Sequence, residues 1–103
     1  MWGRNLARNL AQLEVLASVA DHYTENAAEF GSAFSAKPVD VDTLIRDQSI
    51  NGIVIATVAS SHDALAISAL TAGKHVYVEK PLSLTLAGAK AIQDAAQTAK
   101  KQV

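Results

Sequence analysis

Apolar residues along the chain follow two alternating periods, one typical of helices and one typical of strands. Leu6, Leu10 and Leu13 recur at i, i+4 and i+7, which predicts a helix that buries one face. The apolar run at residues 15–20 ends at Asp21 and is predicted to be a buried strand. The chain therefore opens with a helix followed by a strand.

The middle of the chain carries weaker signals. Residues 24–30 are predicted to form a short helix that stops at Gly31, since glycine is favoured just past a helix end. Residues 33–35 are expected to form a brief edge strand. Asp40 or Asp42 is expected to cap the next helix, because an aspartate oxygen accepts from free amides at a helix start.

The second half of the chain has the clearest alternation. Residues 53–56 are apolar on both faces, as an interior parallel strand requires. A helix is expected over residues 61–71, with Gly73 after its end, then a strand over residues 75–78. A last helix is expected to start near Thr85. Strands and helices at this spacing imply βαβ units around a parallel sheet, so we predict an α/β three-layer sandwich in one domain, residues 1–103.

Composition and charge exclude several classes of protein. Half of the 103 residues are hydrophobic, and nine basic residues face ten acidic ones, for a net charge of −1. This composition is typical of a globular protein, and we expect it to bind no nucleic acid. No apolar run reaches the ~18–20 residues of a membrane helix, so we expect a cytoplasmic protein that is not membrane-bound. The absence of cysteine excludes disulfides and thiolate metal sites.

Local sequence signatures resemble the glucose–fructose oxidoreductase, inositol dehydrogenase and rhizopine-catabolism (Gfo/Idh/MocA) family. They are, in order, WGRN at residues 2–5, VAD at 19–21, IAT at 55–57 followed by SH at 61–62, and AGKHV with VEKP at 72–81. The last pair is the most specific. The resemblance covers essentially the whole chain and implies a Rossmann-like, mostly parallel fold.

The resemblance also implies that both ends of such a domain are missing here. Gly3 would be the third glycine of a G-x-G-x-x-G turn, whose first two glycines and preceding strand are not in the sequence. We therefore expect a doubly wound fold that lacks its first strand, and no C-terminal substrate domain. Gly3 could face a phosphate with helix amides or could be an ordinary N-terminal glycine.

Two further positions match cofactor contacts of the family. Asp21, at the end of the second expected element, would accept from the ribose hydroxyls of the adenosine half and would repel a 2′-phosphate, which favours NAD over NADP. The alternative for Asp21 is a turn aspartate or helix cap. Thr57 would lie in the loop under the nicotinamide ribose, where Val58 stands in place of the family's frequent proline.

The expected chemical centre is Glu79, Lys80 and Pro81. By resemblance, Lys80 reaches the nicotinamide and the reacting hydroxyl and stabilises charge on oxygen, Glu79 holds or tunes that ammonium, and the Lys80–Pro81 bond is often cis. The alternative is an exposed ion pair worth at most about 1 kcal/mol. His62 is expected to cap or pack rather than catalyse, and no metal site is expected.

The resemblance implies an NAD(P)-dependent oxidoreductase that moves hydride between the nicotinamide and a sugar, polyol or nucleotide-sugar hydroxyl. The chain alone is expected to be inactive. Two alternatives stay open: a non-catalytic nucleotide-binding module, and a self-associating fragment without enzymatic activity. Because a central strand is missing, we also expect residues 15–20 to pair directly beside residues 53–57, or a homo-oligomer with swapped strands.

Overall fold

The computed structural model describes residues 2–103, apart from the side chain of Trp2. The chain divides into two compact units, the first ending at Asp47 and the second running from Gln48 to Val103. In chain order the elements are α1 Trp2–Gln12, β1 Ser18–Val19, α2 Thr24–Phe34, β2 Lys37–Pro38, α3 Val41–Arg46, β3 Gly52–Ile55, a 3₁₀ turn Ala59–Ser61, α4 His62–Thr71, β4 His75–Val78 and α5 Leu86–Ala99.

The first unit packs α1 and α2 beside a short parallel pair of strands. In that pair Ser18 lies opposite Lys37 and Val19 opposite Pro38. Its buried residues are small, namely Ala7, Val19, Ala27, Gly31 and Ala36. These side chains bury little apolar area. The two long helices of the unit are also joined by contacts at its surface.

Arg4 on α1 makes the most extensive of these surface contacts. Its guanidinium lies 5.5 Å from the ring centroid of Phe30 and 5.6 Å from that of Phe34, both on α2. The same group donates to Glu29 Oε1 at 2.9 Å. A guanidinium stacks on aromatic rings and pairs with a carboxylate at once, so Arg4 joins the two helices.

The second unit packs α4 and α5 against the parallel pair of β3 and β4. The register runs from Gly52 opposite His75 to Ile55 opposite Val78. One apolar cluster forms its core: Ile55, Ala66, Ala69, Leu70, Val76, Ile92 and Ala96. The strands and helices that the alternation predicted in this half are confirmed, as is an α/β chain with parallel strands.

Side-chain caps define two helix starts. Asp40, one of the two predicted candidates, accepts a hydrogen bond from the Thr43 amide at 2.7 Å at the start of α3. This hydrogen bond holds the pKa of Asp40 below its ordinary value. Thr85 accepts from the Gly88 amide at 2.9 Å, so α5 begins where the sequence predicted.

The prediction for residues 33–35 is wrong. The helix α2 continues through Phe34 and ends at Ser35, which adopts the left-handed conformation at φ 54°. Gly31 therefore lies inside the helix and is buried; the edge strand is Lys37–Pro38 instead. The reason for a glycine at position 31 is space, since a Cβ there would lie 2.6 Å from the Ala36 carbonyl oxygen.

The predicted strand at residues 15–20 is shorter than expected. Only Ser18 and Val19 are in strand conformation, and Val15 is 64% exposed. The expected pairing of residues 15–20 beside residues 53–57 is also wrong, because β1 hydrogen-bonds to β2, and β3 to β4, in two separate two-stranded sheets. β2 supplies the ladder partner that β1 needs.

The interior strand predicted at residues 53–56 is buried on one face. Ile53 and Ile55 turn toward the core, whereas Val54 is 37% exposed. None of the helices among residues 2–103 combines the length and apolar content needed to cross a membrane.

Candidate functional site

Four of the predicted site residues follow the carboxyl ends of β3 and β4: Thr57, Glu79, Lys80 and Pro81. Ile55 and Val78 form the last register pair, and the Glu79 amide donates to the Ile55 carbonyl at 3.0 Å. Because the strands are parallel, both segments leave the sheet at the same edge. Open α/β sheets bind their ligands at that edge. Thr57 and Lys80 both lie just beyond it, as the sequence predicted.

The hydroxyl of Thr57 belongs to a short hydrogen-bonded chain. Thr57 Oγ1 lies 2.6 Å from Ser61 Oγ, and Ser61 Oγ donates to the Val58 carbonyl at 2.8 Å. Since a serine hydroxyl has one proton, Thr57 must be the donor to Ser61. The Thr57 oxygen is thereby oriented to accept a hydrogen bond from a ligand hydroxyl.

His62 connects the two segments that leave this edge. The residue is 1% exposed and opens α4. Its Nδ1 lies 2.7 Å from the Pro81 carbonyl oxygen, and its Nε2 lies 3.1 Å from the Thr57 carbonyl oxygen. Sequence reasoning expected a capping or packing histidine and missed this bridge. The SH pair at residues 61–62 marks the position of this histidine in the sequence, but it does not indicate which carbonyl groups the ring contacts.

Lys80 is exposed, and the peptide bond between Lys80 and Pro81 is cis. Neither of the described ion pairs, Arg4–Glu29 and Lys90–Asp94, includes Lys80. An exposed ammonium at the ligand-binding edge of a parallel sheet can meet a polar or anionic ligand.

Glu79 faces its strand neighbour on the same side of the sheet. The Tyr77 hydroxyl donates to Glu79 Oε1 at 3.2 Å. This hydrogen bond, together with the negative charge of the carboxylate, raises the pKa of Tyr77. The role proposed for Glu79 beside the Lys80 ammonium stays a prediction.

Two site predictions fall in the first unit. Asp21 Oδ1 accepts from the Tyr23 amide at 2.8 Å and from Asn26 Nδ2 at 3.3 Å, which fixes the carboxylate at the turn into α2. Asp21 therefore makes the turn contacts that the alternative expects, its Oδ2 lies outside both hydrogen bonds, and its role in ribose binding stays a prediction. Gly3 lies in the first turn of α1, where helix amides lack intrahelical partners.

The lysine of the AGKHV signature is structural. Lys74 is 4% exposed, and its ammonium donates to the Ile50 carbonyl at 2.8 Å, which joins the start of β4 to the segment before β3. Its burial separates it from Lys80, the exposed lysine of the VEKP signature. Within residues 2–103, no three His, Asp or Glu side chains gather in an arrangement that could hold a metal ion.

Comparison with known proteins identifies relatives over nearly the whole chain. The family model described as "Oxidoreductase family, NAD-binding Rossmann fold" (Gfo/Idh/MocA) matches residues 2–103. An inositol 2-dehydrogenase/D-chiro-inositol 3-dehydrogenase of Lacticaseibacillus casei is 36% identical over 84 residues, which are 81% of this chain and 24% of that protein.

Solved structures give the same result. The UDP-N-acetylglucosamine 3-dehydrogenase GnnA of Acidithiobacillus ferrooxidans superimposes with a TM-score of 0.92 at 32% identity, over 98% of this chain and 33% of that one. A biliverdin reductase of Synechocystis sp. PCC 6803, in complex with biliverdin and NADP+, has a TM-score of 0.79 at 39% identity, over 84% of this chain and 28% of that one. The chain thus spans about a quarter to a third of the length of these relatives. The Rossmann-like fold predicted from the sequence is confirmed.

Proposed function

This chain belongs to the Gfo/Idh/MocA oxidoreductase family, with its NAD-binding Rossmann fold, and we propose that it is the cofactor-binding part of an enzyme that transfers hydride between a nicotinamide dinucleotide and a hydroxyl of a sugar, polyol or nucleotide sugar. The substrate class is supported by relatives that are named as inositol and UDP-N-acetylglucosamine dehydrogenases. Turnover requires a bound cofactor, so the first expectation for residues 1–103 is saturable binding of a nicotinamide dinucleotide.

One observation supports this proposal above the others. Thr57 and Lys80 follow two parallel strands at the same edge of the sheet, and His62 lies between the segments that contain them. The residues at this edge fit the nicotinamide half of a dinucleotide. Thr57 presents a hydroxyl oxygen that can accept from a ribose hydroxyl, and Lys80 presents an exposed cation.

The expected role of Lys80 is electrostatic. When bound, the nicotinamide ring supplies the site that accepts or donates hydride. Lys80 would orient the reacting hydroxyl and stabilise negative charge that develops on its oxygen. Glu79 would hold the ammonium in place, and Pro81 would set the direction of the segment after Lys80.

Asp21 supports a preference for NAD over NADP. The Tyr23 amide and Asn26 hold one carboxylate oxygen, which leaves Oδ2 to accept from a ribose hydroxyl. The fixed negative charge would repel a 2′-phosphate. A relative crystallised with NADP+ shows that the fold also accommodates the phosphorylated cofactor, so the choice between the two depends on residues such as Asp21. Gly3, in the first turn of α1, would face the pyrophosphate with its amide.

Titration with NADH and NADPH, followed by nicotinamide fluorescence, tests the proposal. We expect saturable NADH binding by the chain and weaker binding by Lys80→Met. Loss of one charged hydrogen bond should weaken binding about tenfold or more. Lys90→Met is the matched control, because Lys90 is an exposed lysine on α5 whose pair with Asp94 is long, at 3.9 Å.

The outcomes separate the competing functions. Equal loss of affinity in the Lys80 and Lys90 variants would indicate a nonspecific charge effect and remove Lys80 from the site. Dinucleotide binding that Lys80→Met does not weaken would support the alternative, a non-catalytic nucleotide-binding module in which Lys80 does not contact the cofactor. Absence of saturable binding of either dinucleotide would contradict the proposal for this chain.

A second proposal concerns self-association. Among the described strands of this sheet, β3 has one edge that β4 does not pair, whereas on the outer edge of β4 the Val76 amide donates to the Gln102 carbonyl at 2.9 Å. Val54 and Tyr77 lie opposite each other on that sheet and are 37% and 55% exposed. Open edges beside exposed apolar residues recruit other strands, which supports a homo-oligomer, with strand exchange as one route. Sedimentation equilibrium tests it; a monomer at all concentrations would contradict it.

A further inference from the structure

We infer that His62 is a positioning residue that sets the geometry of both segments at the site, holding the Pro81 carbonyl with Nδ1–H and lying against the Thr57 carbonyl with Nε2. The hydrogen bonds of His62 are seen in the second unit itself. The effect of His62 on cofactor binding rests on the function proposed above.

The burial of His62 makes its hydrogen bonds obligatory. The residue is 1% exposed and is among the largest fully buried side chains. A buried N–H without an acceptor is unfavourable, so the protonated nitrogen of the ring is expected to donate to a main-chain oxygen. Both have main-chain oxygens within reach, at 2.7 Å and 3.1 Å.

Counting protons assigns the tautomer. A carbonyl oxygen only accepts, and a neutral imidazole has one N–H. The shorter distance, from Nδ1 to the Pro81 oxygen, places the proton of the neutral ring on Nδ1. Nε2 then lies against the Thr57 oxygen at 3.1 Å as a contact and not as a hydrogen-bond donor.

The two carbonyls are adjacent to the groups that the site needs. The Pro81 carbonyl follows the Lys80–Pro81 bond, so fixing it restricts where the Lys80 side chain begins. The Thr57 carbonyl belongs to the residue whose hydroxyl is already oriented by Ser61. One ring, held at the start of α4, therefore lies between two segments that carry a hydroxyl and an ammonium and that follow two different strands.

Nitrogen-15 spectroscopy of the histidine rings tests the assignment without any substitution that could unfold the chain. The sequence has three histidines, and His22 and His75 are exposed. At a pH where those two are neutral, we expect His62 to carry a slowly exchanging proton on Nδ1, whether or not Nε2 is also protonated. An unprotonated Nδ1, or a ring proton that exchanges as fast as those of His22 and His75, would overturn the inference.

Three substitutions at His62 separate positioning from packing. His62→Asn places an amide donor near the position of Nδ1, His62→Gln places one near the position of Nε2, and His62→Leu removes both ring nitrogens. We expect NADH affinity to fall about three- to tenfold in the Gln and Leu variants and to be largely rescued in the Asn variant, since one hydrogen bond is involved. His75→Gln is the control and should bind as the unaltered chain does.

The two readouts distinguish failure of this inference from failure of the proposed function. If the unaltered chain bound no dinucleotide, the proposed function would fail, while the ring spectrum would still decide the role of His62. If all three variants lost affinity equally although their folded fractions matched, His62 would act by packing alone and the positioning role would be overturned.

Discussion

Thr57 and Lys80 lie equally far beyond the last paired residues of their strands. Ile55 and Val78 are opposite one another, and each candidate site residue follows two positions later. Because the strands are parallel, both residues lie beyond the same edge of the sheet, two positions after the last register pair. The site is therefore defined by a register, and changes that preserve the register should leave the site intact.

Replacement of Asp21 by asparagine tests the choice between cofactors. Asparagine keeps the side-chain oxygen that accepts from the Tyr23 amide, so the turn should persist. Loss of the charge removes the repulsion of a 2′-phosphate. We expect the preference for NADH over NADPH to fall about tenfold, or ~1.4 kcal/mol, in paired fluorescence titrations. Asp42→Asn, in the first turn of α3, is the control. An unchanged ratio for Asp21→Asn would assign Asp21 to the turn alone.

Gly31→Ala should destabilise the first unit. Alanine is the better helix former by about 1 kcal/mol, yet a Cβ at position 31 would lie 2.6 Å from the Ala36 carbonyl oxygen and 2.9 Å from Pro38 Cδ. Main-chain atoms cannot rotate away, so we expect a net loss of ~1–3 kcal/mol in urea unfolding. Gly52→Ala is the matched control, since its nearest atom would be 3.6 Å away. Equal stability of the two variants would show that the turn after α2 shifts freely.

Lys74→Met should destabilise the second unit. Methionine retains most of the buried alkyl chain but leaves the Ile50 carbonyl without the ammonium that lies 2.8 Å from it. Ile50 is partly buried, and loss of the donor to its carbonyl should cost about 1 kcal/mol, measurable by thermal or urea unfolding. Lys90→Met, at an exposed position, should stay within about 0.5 kcal/mol of the unaltered chain. A Lys74 variant of unaltered stability would contradict the structural role.

The Tyr77–Glu79 contact predicts a pH dependence at high pH. The pKa of Tyr77 is raised above its ordinary 10.0, first by the hydrogen bond to Glu79 and then by the carboxylate charge. The contact therefore stabilises the fold below the unfolded pKa, and this stabilisation is lost as pH rises through the folded pKa. In a Tyr23→Phe background, where Tyr77 is the single tyrosine, Glu79→Gln should move the tyrosinate absorbance transition to lower pH. No movement would mean that Glu79 does not influence the phenol.

Periodicity predicted the second half of the chain well, because its two strands have four residues each, whereas those of the first half have two. The Thr85 cap, the strand at 75–78 and the glycine after α4 each depend on neighbours within a few positions. The first half was less predictable. The local pattern predicts a helix end at Gly31, whereas the structure requires glycine there because Ala36 and Pro38 lie against it.

The sequence by itself determined the alternation of parallel strands and helices, and it indicated which residues follow the strand ends, since both depend on short-range pattern. Tertiary structure decided which strands pair, because β1 finds β2 through long-range hydrogen bonds that no local period encodes. It also decided the role of His62. A histidine at a helix start can cap the helix, pack in the core or bind a ligand. Here the ring lies between the carbonyl groups of Pro81 and Thr57, which belong to separate segments of the chain.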